Sequence, residues 1–271
     1  MKFEDHTIKV IVSDLDGTLL NENHKISPYT KSVFTKLHLE GYTIIIATGR
    51  HHLDAKAIVC DLEIPFYLVT SNGARIHCPE EELIFAYNIK SEIIEAVFEL
   101  DIDPSITSVL FKEKEWLTSK TNNKINSFQR DASYPPRVVD FKTITDYSAI
   151  KLFFTHDQHE VLVTLKDKIL EHHSDKLCHA FSLPFCLEFM DTSVDKSVAI
   201  AKILDREGFS FQNTMAFGDG FNDERMLASV QKGLIMKNAP DTLKDKLGQL
   251  EVIGSNKEDA VANYLMNHFD I

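Results

Sequence analysis

Cysteine is scarce and scattered in this chain, and long apolar runs are absent. The four cysteines, Cys60, Cys78, Cys178 and Cys186, form no C-x-x-C pair. In a chain of 271 residues, this spacing predicts reduced, buried thiols rather than a disulfide framework or a zinc site. No stretch approaches the run of about 20 apolar residues that a membrane-spanning helix needs, and none resembles a secretory signal. We therefore expect a cytoplasmic protein without a membrane partner.

Basic residues are also fewer than acidic ones. Lys and Arg number 29 against 41 Asp and Glu, which gives a formal net charge of −12. Such a chain would be repelled by a phosphate backbone, so nucleic acid is not an expected partner. A small phosphorylated ligand remains compatible with this charge if cations line its pocket. The chain also lacks a G-x-G-x-x-G turn after its first strand, which disfavours a dinucleotide-dependent oxidoreductase.

The hydrophobic content of 44% supports a sizeable packed core. Short, continuously apolar runs alternate with helical patterns along both ends of the chain. Strands are predicted at residues 8–13, 43–47, 67–70, 214–217 and 233–236, and helices at 28–40, 195–207, 224–229 and 260–268. Continuously apolar strands are typical of sheets that helices cover on both faces. The pattern predicts an α/β fold with a Rossmann-like, doubly wound parallel-sheet core.

The alternation of apolar strands with helices changes after Ser71-Asn72-Gly73, and it resumes near residue 189. Between these points, strands are predicted at 107–111, 150–155 and 177–181, and a helix at 161–170. A segment inserted into one doubly wound domain explains this order better than two domains in series. We predict a catalytic core from residues 1–83 and 189–271, with an inserted α/β cap domain at 84–188.

Four polar clusters follow the predicted strands, at the sheet edge where open parallel sheets bind ligands. Each alone also fits a structural role, such as an acidic turn, a strand-to-helix turn, a solvated lysine or a hairpin. The clusters are Asp14-Leu15-Asp16-Gly17-Thr18, Thr48-Gly49-Arg50, Lys196 in SVDKSVAI, and Gly218-Asp219-Gly220-Phe221-Asn222-Asp223.

The acidic residues of two clusters, Asp14, Asp16, Asp219 and Asp223, would converge if their strands are neighbours. Two bare carboxylates about 4 Å apart repel by roughly 4 kcal/mol at an effective dielectric constant of about 20. Several such pairs imply a bound cation, and oxygen ligands without thiolate or histidine favour Mg²⁺. A carboxylate held there can attack phosphorus while a second one moves protons and Lys196 offsets charge. The cluster therefore predicts phosphoryl transfer.

The ordered set DLDGT, TGR, a lysine at a helix start and GDGFND resembles the haloacid dehalogenase (HAD) superfamily of phosphohydrolases along essentially the whole chain. The insert after TSNGA resembles the Cof-type subfamily with a large α/β cap. RHH, TSNGAR and EVIGSN are similar to Cof-type enzymes that act on pyridoxal 5′-phosphate and hexose phosphates. Ser197 departs from the family, in which glycine usually follows the lysine. The resemblance implies a Mg²⁺-dependent phosphatase of small phosphorylated metabolites, either monomeric or homodimeric.

The resemblance also implies a role for each motif residue. Asp14 would be the nucleophile and a metal ligand, and Asp16 the general acid/base, with its backbone carbonyl as a second ligand. Asp219 would complete the protein's metal ligands, with Asp223 and Arg50 in supporting positions. The phosphoryl group would be held by the Leu15 backbone amide, Thr48, Gly49, Lys196 and Asn222.

The predicted cap would exclude water from one half of the reaction and admit it to the other. Trp116, Arg130, Tyr134 and Arg137 are candidates to contact the leaving group. Other functions stay open: a phosphomutase of the same superfamily, a signalling protein that is phosphorylated on aspartate, and a non-catalytic binder of a phosphorylated ligand. A signalling receiver is disfavoured because receivers place their acid pair and phospho-acceptor on different strands.

Overall fold

The computed structural model describes residues 7–123, 125 and 135–270. The chain divides into two compact units, one formed by Met1–Ala86 with Asp195–Ile271 and the other by Tyr87–Val194. The predicted domain boundaries at 83/84 and 188/189 fall inside the strands Leu83–Ala86 and Cys186–Asp191, and they stay predictions. Within the described ranges, no helix is long and apolar enough to cross a bilayer.

The first unit is built on an eight-stranded sheet. Its strands are β1 (Val10–Ser13), β2 (Thr43–Ala47), β3 (Tyr67–Thr70), β4 (Arg75–His77), β5 (Leu83–Ala86), β12 (Thr214–Gly218), β13 (Lys232–Ile235) and β14 (Glu251–Val252). They lie in the order β14-β13-β12-β1-β2-β3-β4-β5. The strands from β14 to β3 are parallel, and β4 and β5 add antiparallel pairs at one edge. The predicted strands at 43–47 and 67–70 are confirmed to the residue.

Helices cover both faces of this sheet. The described helices of the unit are α1 (Pro28–Leu39), α2 (His52–Val59), α5 (Lys196–Glu207), α6 (Glu224–Ser229), α7 (Asp241–Lys246) and α8 (Ala260–Phe269). One face packs on α1, α2 and α8 through residues such as Ile11 and Phe217. The other packs on α5, α6 and α7 through Val12 and Ala216. The predicted doubly wound α/β core is therefore confirmed.

The second unit is built on a six-stranded sheet, and two of the described helices pack on one of its faces. Its elements are α3 (Ser91–Glu99), β6 (Thr107–Phe111), β7 (Trp116–Thr118), β8 (Arg137–Val138), β9 (Lys151–Thr155), α4 (His159–His173), β10 (Leu177–Leu183) and β11 (Cys186–Asp191). The order is β10-β11-β9-β6-β7-β8, and the pairs are antiparallel except for β7 with β8. Helices α3 and α4 pack on this sheet through Ile94 and Leu162.

Two of the four candidates for leaving-group contacts lie in the described part of this unit. Trp116 is buried in a small apolar cluster with Val109 and Phe153, so its side chain serves packing. Arg137 forms an exposed ion pair with Glu115, at 2.9 Å. The other two candidates, Arg130 and Tyr134, lie outside the described residues.

All four cysteines are free, as predicted. Cys78 and Cys186 are buried and Cys178 is partly buried, but the prediction of a buried thiol is wrong for Cys60, which is exposed. Cys60 caps the C-terminus of α2, where its thiol donates a hydrogen bond to the Ala57 carbonyl at 3.3 Å. The sequence pattern of α2 does not indicate whether the side chain at its C-cap faces the core or the solvent, so the exposure of Cys60 was not predicted.

Ile45 lies in the centre of the first sheet and is fully buried between strand neighbours and α5. We expect Ile45→Ala to lower the free energy of unfolding by about 2–5 kcal/mol, because it removes buried apolar surface and leaves a cavity. Urea unfolding followed by circular dichroism measures the change. The control Leu39→Ala, at a position 79% exposed, should change stability by no more than about 0.5 kcal/mol. Equal effects of the two substitutions would contradict the assigned core.

Candidate active site

The register of the first sheet brings three of the four predicted clusters to one edge. Ser13, the last residue of β1, pairs with Phe217 of β12 on one side and Ile46 of β2 on the other. The N–H of Asp14 donates to the Phe217 carbonyl at 3.0 Å. The residues that follow β1, β2 and β12 therefore leave the sheet side by side.

The remaining cluster, Lys196, does not follow a strand of the parallel sheet. Lys196 begins α5, and the strand before it, β11, belongs to the sheet of the other unit. The prediction that every cluster follows a strand of the parallel sheet is thus wrong for Lys196. Its helix starts at the N-cap residue Asp195, whose side chain accepts the Ser197 N–H at 2.7 Å. This cap supplies a local reason for the helix to begin where it does.

Lys196 is buried between two carboxylates. Its Nζ donates to Oδ1 of Asp14 and to Oδ1 of Asp223, both at 2.6 Å. The other oxygen of Asp223 accepts the backbone N–H groups of Asp219, at 3.1 Å, and Gly220, at 2.9 Å. A solvated lysine is excluded, since its relative exposure is 1%. The ion network instead joins three segments that are distant in the sequence.

Asp219 lies against the turn that follows β1. Gly17 has a φ of +75°, and a Cβ on it would lie 2.2 Å from Oδ2 of Asp219. Any other residue at position 17 would therefore clash with the carboxylate and strain the backbone. Glycine in the DLDGT motif is required for the close approach of the first and fourth clusters.

Two residues without a predicted role also hold Asp219. Thr18 Oγ1 donates to its Oδ1 at 3.1 Å. Asn238 Nδ2 donates to its Oδ2 at 3.3 Å and to the Gly17 carbonyl at 2.8 Å. The positions of both residues in the sequence could have indicated a role in the site. Thr18 belongs to the first cluster, and Asn238 follows β13 at the same edge of the parallel sheet.

The charges in this cluster are not balanced. Burial, followed by the charge of Asp223, raises the pKa of Asp14 to about 8, although Lys196 opposes the shift. Burial and Asp223 also raise the pKa of Asp219 to about 6. Burial alone would lower the pKa of Lys196, but the charges of Asp14 and Asp223 and the hydrogen bonds to them outweigh it, so that pKa is raised as well. The site therefore holds more negative charge than one ammonium group compensates.

A cation fits this arrangement. Asp14, Asp219 and Asp223 each present a carboxylate oxygen, and these oxygens lie within 4.8 Å of one another. A positive ion beside them would favour the ionised carboxylates that burial and mutual repulsion disfavour. An all-oxygen donor set of this kind suits a hard divalent cation.

The expected convergence of all four carboxylates is wrong for Asp16. Its oxygens accept hydrogen bonds from Arg50, at 2.7 Å from Nε and 2.6 Å from Nη2. The Asp16 side chain is 42% exposed, against 7% for Asp14. Between β1 and Gly17 the backbone turns, so side chains two residues apart no longer point to one side as they would in a strand. Arg50 forms a bidentate ion pair with the carboxylate of Asp16.

The residues predicted to hold a phosphoryl group lie in the same unit. Thr48 is buried, and its hydroxyl accepts the Arg50 N–H at 3.1 Å. Asn222 is exposed, and its Nδ2 donates to Oδ1 of Asn72 at 3.0 Å. The binding roles of Thr48 and Asn222, and of Leu15 and Gly49, stay predictions. Asn72 was not among the predicted site residues.

The raised pKa of Asp14 predicts a specific dependence of stability on pH. The folded state binds the Asp14 proton more tightly than the unfolded state, so stability is lost as pH rises from 3.8 to about 8. Asp14→Asn removes this titration. In EDTA, we expect the Tm advantage of Asp14→Asn over the wild type to be larger near pH 8 than near pH 5, measured by calorimetry. An advantage that does not change with pH would contradict the assigned environment of Asp14.

Comparison with known proteins identifies the family. A model of haloacid dehalogenase-like hydrolases matches residues 11–265. An HMP-PP phosphatase of Cronobacter sakazakii is 33% identical over 257 residues, which cover 95% of this chain and 94% of the relative. A solved haloacid dehalogenase-like hydrolase of Bacteroides thetaiotaomicron superposes with a TM-score of 0.86 at 22% identity, over 97% of this chain and 100% of that one. The chain therefore belongs to the haloacid dehalogenase-like hydrolases, as its DLDGT, TGR and GDGFND motifs predict, and to their Cof type, as the insert after TSNGA predicts.

Proposed function

We propose that this chain is a Mg²⁺-dependent phosphatase that hydrolyses small phosphorylated metabolites through an aspartyl-phosphate on Asp14. The observation that carries the proposal is the buried Lys196, which bridges Asp14 and Asp223 beside Asp219. Family membership supports a hydrolase, and the relatives named phosphatases support the release of phosphate as its reaction.

The proposed ligands of Mg²⁺ are the carboxylates of Asp14 and Asp219 and the backbone carbonyl of Asp16. When bound, the ion would neutralise charge on the carboxylates and on the phosphoryl oxygens. The raised pKa values of Asp14 and Asp219 support this assignment, since a site with excess negative charge favours a cation. Asp223 is proposed to support the site, because both of its oxygens already accept hydrogen bonds.

Asp14 and Asp16 would divide the chemistry between them. A carboxylate oxygen of Asp14 attacks phosphorus, and the bond from phosphorus to the leaving oxygen breaks while Asp16 gives that oxygen a proton. Asp16 then takes a proton from a water molecule, whose oxygen attacks phosphorus and releases Asp14. In the structure both oxygens of Asp16 accept guanidinium hydrogens of Arg50, so this ion pair competes with proton exchange at Asp16.

The phosphoryl group would be held by the Leu15 N–H, Thr48, Gly49, Lys196 and Asn222. The motif resemblance suggests pyridoxal 5′-phosphate and hexose phosphates as substrates, and the relatives suggest HMP-PP. Cytoplasmic location and a monomeric or homodimeric state stay predictions.

Phosphate release from these compounds and from nucleotides tests the proposal. We expect Asp14→Asn to reduce turnover of the best substrate to background, because its amide cannot form the phosphoenzyme, and Asp16→Asn to lower kcat by about 10²–10⁴-fold. The control Asp245→Asn, at an exposed position of α7, should keep wild-type kcat.

Three outcomes would contradict the assignment. Turnover that survives in Asp14→Asn would exclude this nucleophile. Movement of phosphate between positions of one sugar without release would indicate a phosphomutase. Binding of the phosphorylated compounds without turnover by the wild type would indicate a non-catalytic binder.

Metal dependence is tested separately. We expect EDTA to abolish phosphate release and added Mg²⁺ to restore it. Mg²⁺ should also raise the Tm of the wild type, because a ligand that binds only the folded state stabilises it. Asp219→Asn should need a higher Mg²⁺ concentration for the same Tm rise, whereas Asp245→Asn should respond as the wild type does. Full activity in EDTA would refute the proposed metal.

A further inference from the structure

The turn Ser71–Gly73, directly after β3, has an unusual backbone. Three successive residues have positive φ, at 48° for Ser71, 57° for Asn72 and 109° for Gly73. This left-handed region is unfavourable for serine and for most other residues with a Cβ, so consecutive occupancy needs support from surrounding contacts. Such strain often marks a functional position.

Backbone contacts tie this turn to two proposed phosphate-binding segments. The Ser71 N–H donates to the Arg50 carbonyl at 2.8 Å, and the Asn72 N–H donates to the Thr48 carbonyl at 3.0 Å. A Cβ on Gly73 would lie 2.5 Å from the carbonyl oxygen of Asp195, the N-cap residue of the Lys196 helix. The turn is thus packed between the TGR loop and the start of α5.

The side chain of Asn72 reaches the GDGFND loop. Its Oδ1 accepts a hydrogen bond from Nδ2 of Asn222, at 3.0 Å, across 150 residues of sequence. Asn222 is exposed and lies in a short turn, Phe221–Asp223, where packing alone does not hold its amide. Asn72 therefore combines a left-handed backbone with a side-chain hydrogen bond to this loop.

We propose that Asn72 is a positioning residue of the phosphate site: it fixes the Asn222 amide and, through its backbone, the Thr48 loop. The inference rests on the proposed function for the identity of the ligand. Asn72 does not take part in bond making or breaking. Its effect should therefore appear in phosphate binding, with the chemical step nearly intact.

Asn72→Gly tests the side chain without disturbing the turn, because glycine tolerates the same φ. We expect KM for the best phosphomonoester to rise about ten-fold, as for the loss of one hydrogen bond to a ligand-binding group, with kcat within about threefold of wild type. Tm should not fall. In combination with Asn222→Ala, the double variant should have the KM of Asn222→Ala alone, since each change breaks the hydrogen bond between Asn72 and Asn222.

The matched control is Glu63→Gly, which also places glycine at a left-handed position, with φ 53°, outside the proposed site. Its KM should equal that of the wild type. An unchanged KM in Asn72→Gly, or effects of the Asn72 and Asn222 substitutions that multiply in the double variant, would overturn the proposal.

Calorimetric titration with inorganic phosphate in the presence of Mg²⁺ separates this inference from the proposed function. If the wild type releases no phosphate from any substrate, the proposed function fails, but the titration still decides the role of Asn72. About ten-fold weaker phosphate binding by Asn72→Gly would support it. Equal binding by both proteins, or no binding by the wild type, would overturn it.

Discussion

The buried ammonium group of Lys196 is the interaction on which the site depends. It contacts Asp14 and Asp223 at 2.6 Å, and the side chains of all three residues are buried. Removing an ammonium group from two buried carboxylates would leave uncompensated charge, which proteins tolerate poorly. The three residues come from the end of β1, the start of α5 and the loop after β12. The two ion pairs of Lys196 therefore hold these three segments together.

The same interaction separates the two aspartates of DLDGT. Asp14 is buried and shares Lys196, whereas Asp16 is half-exposed and held by Arg50. Two identical side chains, two residues apart, therefore occupy environments of different polarity and different counter-charge. A nucleophile and a proton carrier need that difference, because one must attack as an anion while the other exchanges a proton.

The parallel sheet supplies the frame for this arrangement. The order β12-β1-β2 places the ends of three strands beside one another. Glycine at position 17 lets the first loop approach Asp219, and Asn238 and Thr18 hold that carboxylate from two sides. The turn at 71–73 then links the loop after β2 to the loop after β12. The loops after β2 and β12 are short, because α2 begins at His52 and α6 at Glu224, so their positions follow from the strands that precede them.

The sequence by itself determined the local features: the apolar strands at 43–47 and 67–70, the start of the first helix at Pro28, and the acidic motifs at strand ends. These depend on periodicity, caps and turn residues within a few positions. Only the tertiary structure decided that Lys196 joins Asp14 across 182 residues of sequence, that Asp16 turns to Arg50, and that Asn72 meets Asn222. Such contacts depend on strand order and on the direction of each side chain. No local pattern encodes either of them.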